Sequence, residues 1–68
     1  MEGTRFRFGQ RITAKEAFAR QVRPRTRGVI LAVIQKGIDR LVLWFEGHDA
    51  PIEIAAAAFD TFCKEGWE

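Results

Sequence analysis

Two apolar blocks organise the chain. Val29-Ile30-Leu31-Ala32-Val33-Ile34 and Leu41-Val42-Leu43-Trp44-Phe45 are rich in β-branched and aromatic residues, and neither alternates with polar positions. Continuous apolarity over the length of a strand predicts strands covered on both faces. Lys36-Gly37-Ile38-Asp39 lies between them as turn chemistry, so Val29–Ile34 and Arg40–Phe45 should pair as a hairpin. One face of that hairpin should meet a barrel interior. The other should meet a loop, the C-terminal segment or a second subunit.

Upstream, Thr4-Arg5-Phe6-Arg7-Phe8 alternates polar with apolar and predicts a half-buried strand with Phe6 and Phe8 inward. Gly9 marks a bulge or bend, and Gln10-Arg11-Ile12 resumes an extended segment. Thr13 to Val22 supports two readings. Thr13-Ala14-Lys15-Glu16 fits a capping box for a helix carrying Ala14, Ala17, Phe18 and Gln21 on one face. The other reading, which we favour, is a long loop with at most one helical turn, pinned by Phe18. Arg23-Pro24-Arg25-Thr26-Arg27-Gly28 closes that excursion, with Pro24 holding Arg23 extended and Gly28 permitting a bend into the next strand.

Downstream, Glu46 to Pro51 is turn chemistry and Pro51-Ile52-Glu53-Ile54 a short strand. Ala55 to Ala58 favours a helical turn by propensity. Phe59-Asp60-Thr61-Phe62 then reads as a last short strand, or Ala55–Lys64 reads as one helix burying Phe59, Phe62 and Cys63 and stopping at Gly66. Trp44 and Phe45 adjoin on a strand and must point to opposite faces. Trp67 is either a clamp over the barrel mouth or frayed.

Length and charge narrow the function. Sixty-eight residues make one small domain spanning 1–68, too short to enclose a large substrate. A chain this size buries only about 60% of its unfolded surface, so it needs a dense core or a partner. Six Phe and two Trp suit the former, and a homo-oligomer suits both. One cysteine excludes an internal disulfide, and no Cys/His set has zinc-finger spacing. No apolar run approaches the roughly 20 residues of a transmembrane helix, and no secretory signal follows Met1. The expected location is therefore cytoplasmic, away from membranes.

The net charge of +2 conceals an asymmetry. Residues 1–28 carry eight cations against two acids, and residues 29–68 carry three against seven. Seven of the eight N-terminal cations are Arg, whose planar fork matches phosphate or carboxylate. Two readings follow: an anion-binding patch with nucleic acid as the usual partner, or a basic half matched to an acidic half within or between subunits. Catalytic chemistry has little to stand on. His48 beside Asp49 reads as an exposed turn histidine, Cys63 as a buried inert thiol, and Glu46, Asp49 and Glu53 as a solvated strip. No Gly-rich phosphate loop, Ser/His/Asp set or zinc-protease helix occurs, so no enzyme, cofactor or metal is expected.

The order of strand, arginine-rich loop, hairpin, short strand, turn and final strand resembles the layout of a five-stranded SH3-like barrel. Thr26-Arg27-Gly28-Val29-Ile30 resembles the opening of the second strand in small KOW- and Tudor-like barrels. Val42-Leu43-Trp44-Phe45-Glu46-Gly47-His48-Asp49-Ala50-Pro51, with Phe59-Asp60 after it, resembles a segment of short phage-type and bacterial SH3-like proteins. A weaker resemblance links Phe8–Ile12 and Ile52-Glu53-Ile54-Ala55 to the plasmid-type (type II) dihydrofolate reductases. Glu53 and Ala55 stand where those enzymes use Gln and Tyr, so their activity is not expected here. The barrel implied is mainly β, with a long basic loop between strands 1 and 2 and a helical turn near Ala55–Ala58. It hosts many unrelated functions. The expected function is binding: of RNA or DNA through Arg5, Arg7, Arg11, Arg20, Arg23, Arg25 and Arg27, with Trp44 as a stacking aromatic if it, rather than Phe45, is the one that faces outward. The alternative is a protein-interaction or self-assembly module, such as a phage or mobile-element accessory protein, using the apolar hairpin.

Overall fold

A computed structural model describes residues 6–15 and 22–67. The fold is mainly β: five antiparallel strands in a curled half-barrel. They are β1 (Arg11–Ala14), β2 (Arg27–Ile34), β3 (Arg40–Phe45), β4 (Ile52–Ala55) and β5 (Cys63–Glu65), in the spatial order β4-β3-β2-β1-β5. A 3-10 turn at Ala56–Ala58 runs into one α-helical turn, α1 (Phe59–Phe62), between the last two strands.

The two-sided apolarity of β2 and β3 resolves into an inner and an outer face. Ile30, Leu41, Leu43 and Phe45 point inward, joined by Ile12, Ala14, Phe6, Val22, Phe59 and Cys63 in one buried core. The Phe6 ring tilts onto Phe59 at 4.8 Å between centroids. The outer face carries Val29 opposite Trp44 and Ala32 opposite Val42, and the register slips between Ile30 and Ala32. That bulge inserts Leu31, which faces solvent. The β2–β3 pair closes tightest at Gly28, where a Cβ would lie 2.5 Å from the Trp44 carbonyl oxygen and 2.7 Å from Phe45 Cδ1.

Several expectations are corrected. Residues 6–8 are not a strand. Phe6 is buried from a loop, while Phe8 is 75% exposed in a turn whose Gly9 N–H donates to the Ile30 carbonyl. Alternation there marks one loop aromatic reaching the core, not a strand face. The first strand lies later, at Arg11–Ala14, so Thr13 is no helix cap; its buried hydroxyl donates to the Gly66 carbonyl at 2.6 Å. Thr13 and Ala14, expected in a loop or a helix, belong to β1, and residues 16–21, where the rest of that reading falls, lie outside the described residues. Gly28 sits within β2 rather than at a bend. Phe59–Phe62 is helical, not a strand, yet the helix stops after one turn, because Cys63–Glu65 is recruited by β1 in the register Ala14 opposite Cys63. Lys15 ties that corner: its backbone N–H donates to the Phe62 carbonyl and its ammonium to the Asp60 carbonyl.

Candidate functional site

The outer face gathers aromatic and cationic side chains at one end. Arg11 stands opposite Val29, Val29 opposite Trp44, and Thr13 opposite Arg27, which sets these residues in two adjacent rows across β1, β2 and β3. The chain leaving β5 turns at Gly66, held by the Thr13 hydroxyl, and brings Trp67 back against β2. The Trp67 indole N–H donates to the Gly28 carbonyl at 2.9 Å. The guanidinium carbons of Arg11 and Arg27 lie 4.7 and 5.4 Å from its ring centroid. Cation–π attraction at these distances holds both guanidiniums over the ring.

Trp44 forms the opposite wall. Its indole N–H donates to the His48 carbonyl at 3.0 Å. Both indole donors are thus satisfied inside the protein, and the two residues are still 37% and 43% exposed, Trp44 and Trp67 respectively. Neither indole N–H is left over for a ligand. Trp44, Trp67, Val29, Gly28, Arg27 and Glu46 enclose a groove of about 210 Å³. That is below the roughly 300–1,000 Å³ of a drug-sized pocket, and suits one planar ring system.

The expected arginine set divides. Arg27 lines this groove, and Arg11 lies over the Trp67 ring that walls it. Arg27 belongs to β2, not to a loop. Arg23 and Arg25 occupy the tight turn Arg23-Pro24-Arg25-Thr26, closed by Thr26 N–H to the Arg23 carbonyl at 3.2 Å. Proline second and a positive φ of 71° at Arg25 are the signature of a type II turn, where glycine is the unstrained choice. The Thr26 hydroxyl and the Arg25 N–H, donating to Arg23 and Ala14 carbonyls, hold that conformation in place. Arg7 stands apart beside Phe8, Gln10 and Glu65, its N–H bonded to Gln10 Oε1, and not on a strand face as expected. Arg5 and Arg20 lie outside the described residues.

Trp67, Glu46 and Val29 were not among the expected site residues. The separation of Trp67 from Trp44 along the chain hides their adjacency, and only the pairing of β5 with β1 creates it. The other chemistry-bearing residues stay apart. Cys63 is buried in the core, and burial pushes its thiol up to about 11 against a weaker opposing pull from Lys15. Glu53 pairs with Arg40 at 2.9 Å on the exposed surface. His48 Nδ1 lies 3.3 Å from the Glu46 carbonyl, and its ring edge meets Phe45. Among the described residues there is no cluster of three or more metal-ligating side chains, and no helix long and apolar enough to cross a membrane.

Comparison with protein-family models, with curated proteins and with solved structures finds no match to this chain.

Proposed function

We propose that the protein is a small SH3-like barrel that binds single-stranded nucleic acid on the outer face of β1, β2 and β3. The strand order β4-β3-β2-β1-β5, with a 3-10 turn before the last strand, supports the barrel reading. One observation carries the binding reading: Trp67 and Trp44 flank Val29 with Arg11 and Arg27 beside Trp67. Indole faces stack on bases of any sequence, and guanidinium forks hold the phosphates between them. A duplex keeps its base faces stacked, so exposed indole surface favours an unpaired strand. Arg25 adds a second argument. A cation kept at a left-handed position that glycine would occupy with less strain fits a charge selected for binding.

The test is fluorescence anisotropy of labelled single-stranded and duplex oligonucleotides at low and moderate salt. Binding should favour the single strand. Each phosphate neutralised should contribute about 0.7 to the slope of log K against log salt. Replacing Arg11 and Arg27 together with Ala should lower that slope by about 1.4, and replacing Arg23 and Arg25 should lower it by a similar amount. Trp67→Ala should weaken binding roughly 5- to 150-fold, the range for one lost base stack. No binding by the wild-type protein at low salt would overturn the reading.

A second reading, self-association through the hairpin, is favoured by the exposed Leu31 at the bulge and by Ile38, 77% exposed at the hairpin tip. Its sign is a stable homo-oligomer that lacks salt-dependent affinity for nucleic acid.

A further inference from the structure

We propose that the groove selects guanine, and that Glu46 is the residue that reads it. This rests on the nucleic-acid reading above and adds a base preference to it.

The starting point is a carboxylate where a phosphate-binding surface should have none. Glu46 follows β3 directly, and its backbone N–H donates to the Arg27 carbonyl at 2.8 Å. Its side chain lines the groove with Trp44, Trp67, Val29 and Arg27. Arg27, its neighbour across the strands, lies over the Trp67 ring. Among the described residues, no hydrogen bond or ion pair engages the Glu46 carboxylate. Both indole N–H groups are already bonded to backbone carbonyls, so neither reads a base edge. Glu46 is the side chain of the groove with free acceptors.

Charge fixes the orientation of a bound nucleotide. Its phosphate is drawn to Arg11 on β1, over the Trp67 ring, and repelled by Glu46 at the end of β3, on the far side of β2. A ring lying over Val29 between the two indoles therefore turns its base edge toward Glu46. An ionised carboxylate only accepts hydrogen bonds. Guanine alone presents two adjacent donors on its pairing edge, N1–H and the N2 amine, which match the two carboxylate oxygens. Adenine and cytosine set a ring acceptor beside their amine, and uracil and thymine flank one N–H with two carbonyls. Each of those places an acceptor against a carboxylate oxygen. A matched bidentate contact discriminates by roughly 5- to 150-fold against the wrong base.

The experiment measures anisotropy with thymine oligonucleotides carrying one central guanine, hypoxanthine or adenine. A single guanine avoids multistranded structures, and hypoxanthine lacks only the N2 amine. Guanosine monophosphate is added separately as a competitor, which distinguishes a free nucleotide from a base within a strand. The guanine strand should bind at least about fivefold tighter than the adenine strand, with hypoxanthine between them. Glu46→Gln, which turns one acceptor into a donor, should bring the guanine strand down to the adenine value. Equal, salt-dependent binding of all three strands would overturn the guanine inference and leave the function reading standing. Discrimination unchanged in Glu46→Gln would overturn the role of Glu46. Binding of the mononucleotide without any strand would keep the guanine site and overturn the nucleic-acid reading; binding of neither would overturn both.

Discussion

Gly28→Ala should be among the most damaging conservative substitutions in this protein. The new Cβ would lie 2.5 Å from the Trp44 carbonyl oxygen, and 2.7 and 3.0 Å from two carbons of the Phe45 ring. The first neighbour is backbone of the paired strand, and the second belongs to a fully buried side chain. Neither can move without opening the β2–β3 pair. Overpacking costs about 1–3 kcal/mol where neighbours yield, and these do not, so about 3 kcal/mol is the working figure. Loss of glycine's freedom in the unfolded chain offsets about 0.4–1 kcal/mol of that. The net is about 2 kcal/mol or more, a large share of the roughly 3–10 kcal/mol that a domain this size has in total. For such a domain it lowers Tm by roughly 8–16 °C. Gly37→Ala is the control. Gly37 has φ +74° with open space around it, so only backbone strain of about 1 kcal/mol applies. Both variants would be measured by urea denaturation followed by circular dichroism, with thermal melts alongside. A Gly28→Ala protein as stable as wild type, or no worse than Gly37→Ala, would refute the close-approach argument.

Two further outcomes follow from the core and the tail. The Cys63 thiol is pushed up to about 11 by burial, above the ordinary value of 9.0. The protonated thiol is therefore favoured in the fold, and its contribution to stability is present below pH 9 and lost as pH rises from 9 toward 11. The urea midpoint should fall across that window in wild type and fall less in Cys63→Ala; identical profiles would count against the burial argument. Thr13→Val removes the donor to the Gly66 carbonyl and should cost about 1–2 kcal/mol. It should also loosen the Trp67 segment, seen as a red shift in tryptophan emission; unchanged emission would show that the tail is held by other contacts.

The hairpin was legible because its boundaries are written locally. Arg40–Phe45 is a strand throughout its expected span, since Lys36–Asp39 and Glu46–Pro51 break the chain on either side. The outward direction of Trp44 was not legible. Alternation says only that it opposes Phe45, and the face is chosen by which ring fills the core. The first strand was misplaced because Phe6 is buried without strand pairing, so a period of two over five residues misled. The last strand has three residues and no periodicity; it exists because β1 offers an edge to residues roughly fifty positions away. The candidate site was half legible. Arg11, Arg27 and Trp44 could be named from residue type, but their meeting with Trp67 depends on that same long-range pairing.

The position of β1 between β2 and β5 has a consequence for synthesis. β1 is the first of the five strands to leave the ribosome, yet one of its two partners, β5, is the last of the five, and the Thr13 hydroxyl waits for the carbonyl of Gly66. The hairpin of β2 and β3 can pair as it emerges, but the edge of β1 stays open until Cys63–Glu65 appears. Loop closure over such a span is entropically costly and slow beside local pairing. Trp67 follows immediately, so one short segment both closes the sheet and completes the indole-lined groove. Before that segment emerges there is no finished groove with which to capture a ligand, and a chain that has closed β5 against β1 acquires its sheet and its groove in the same step.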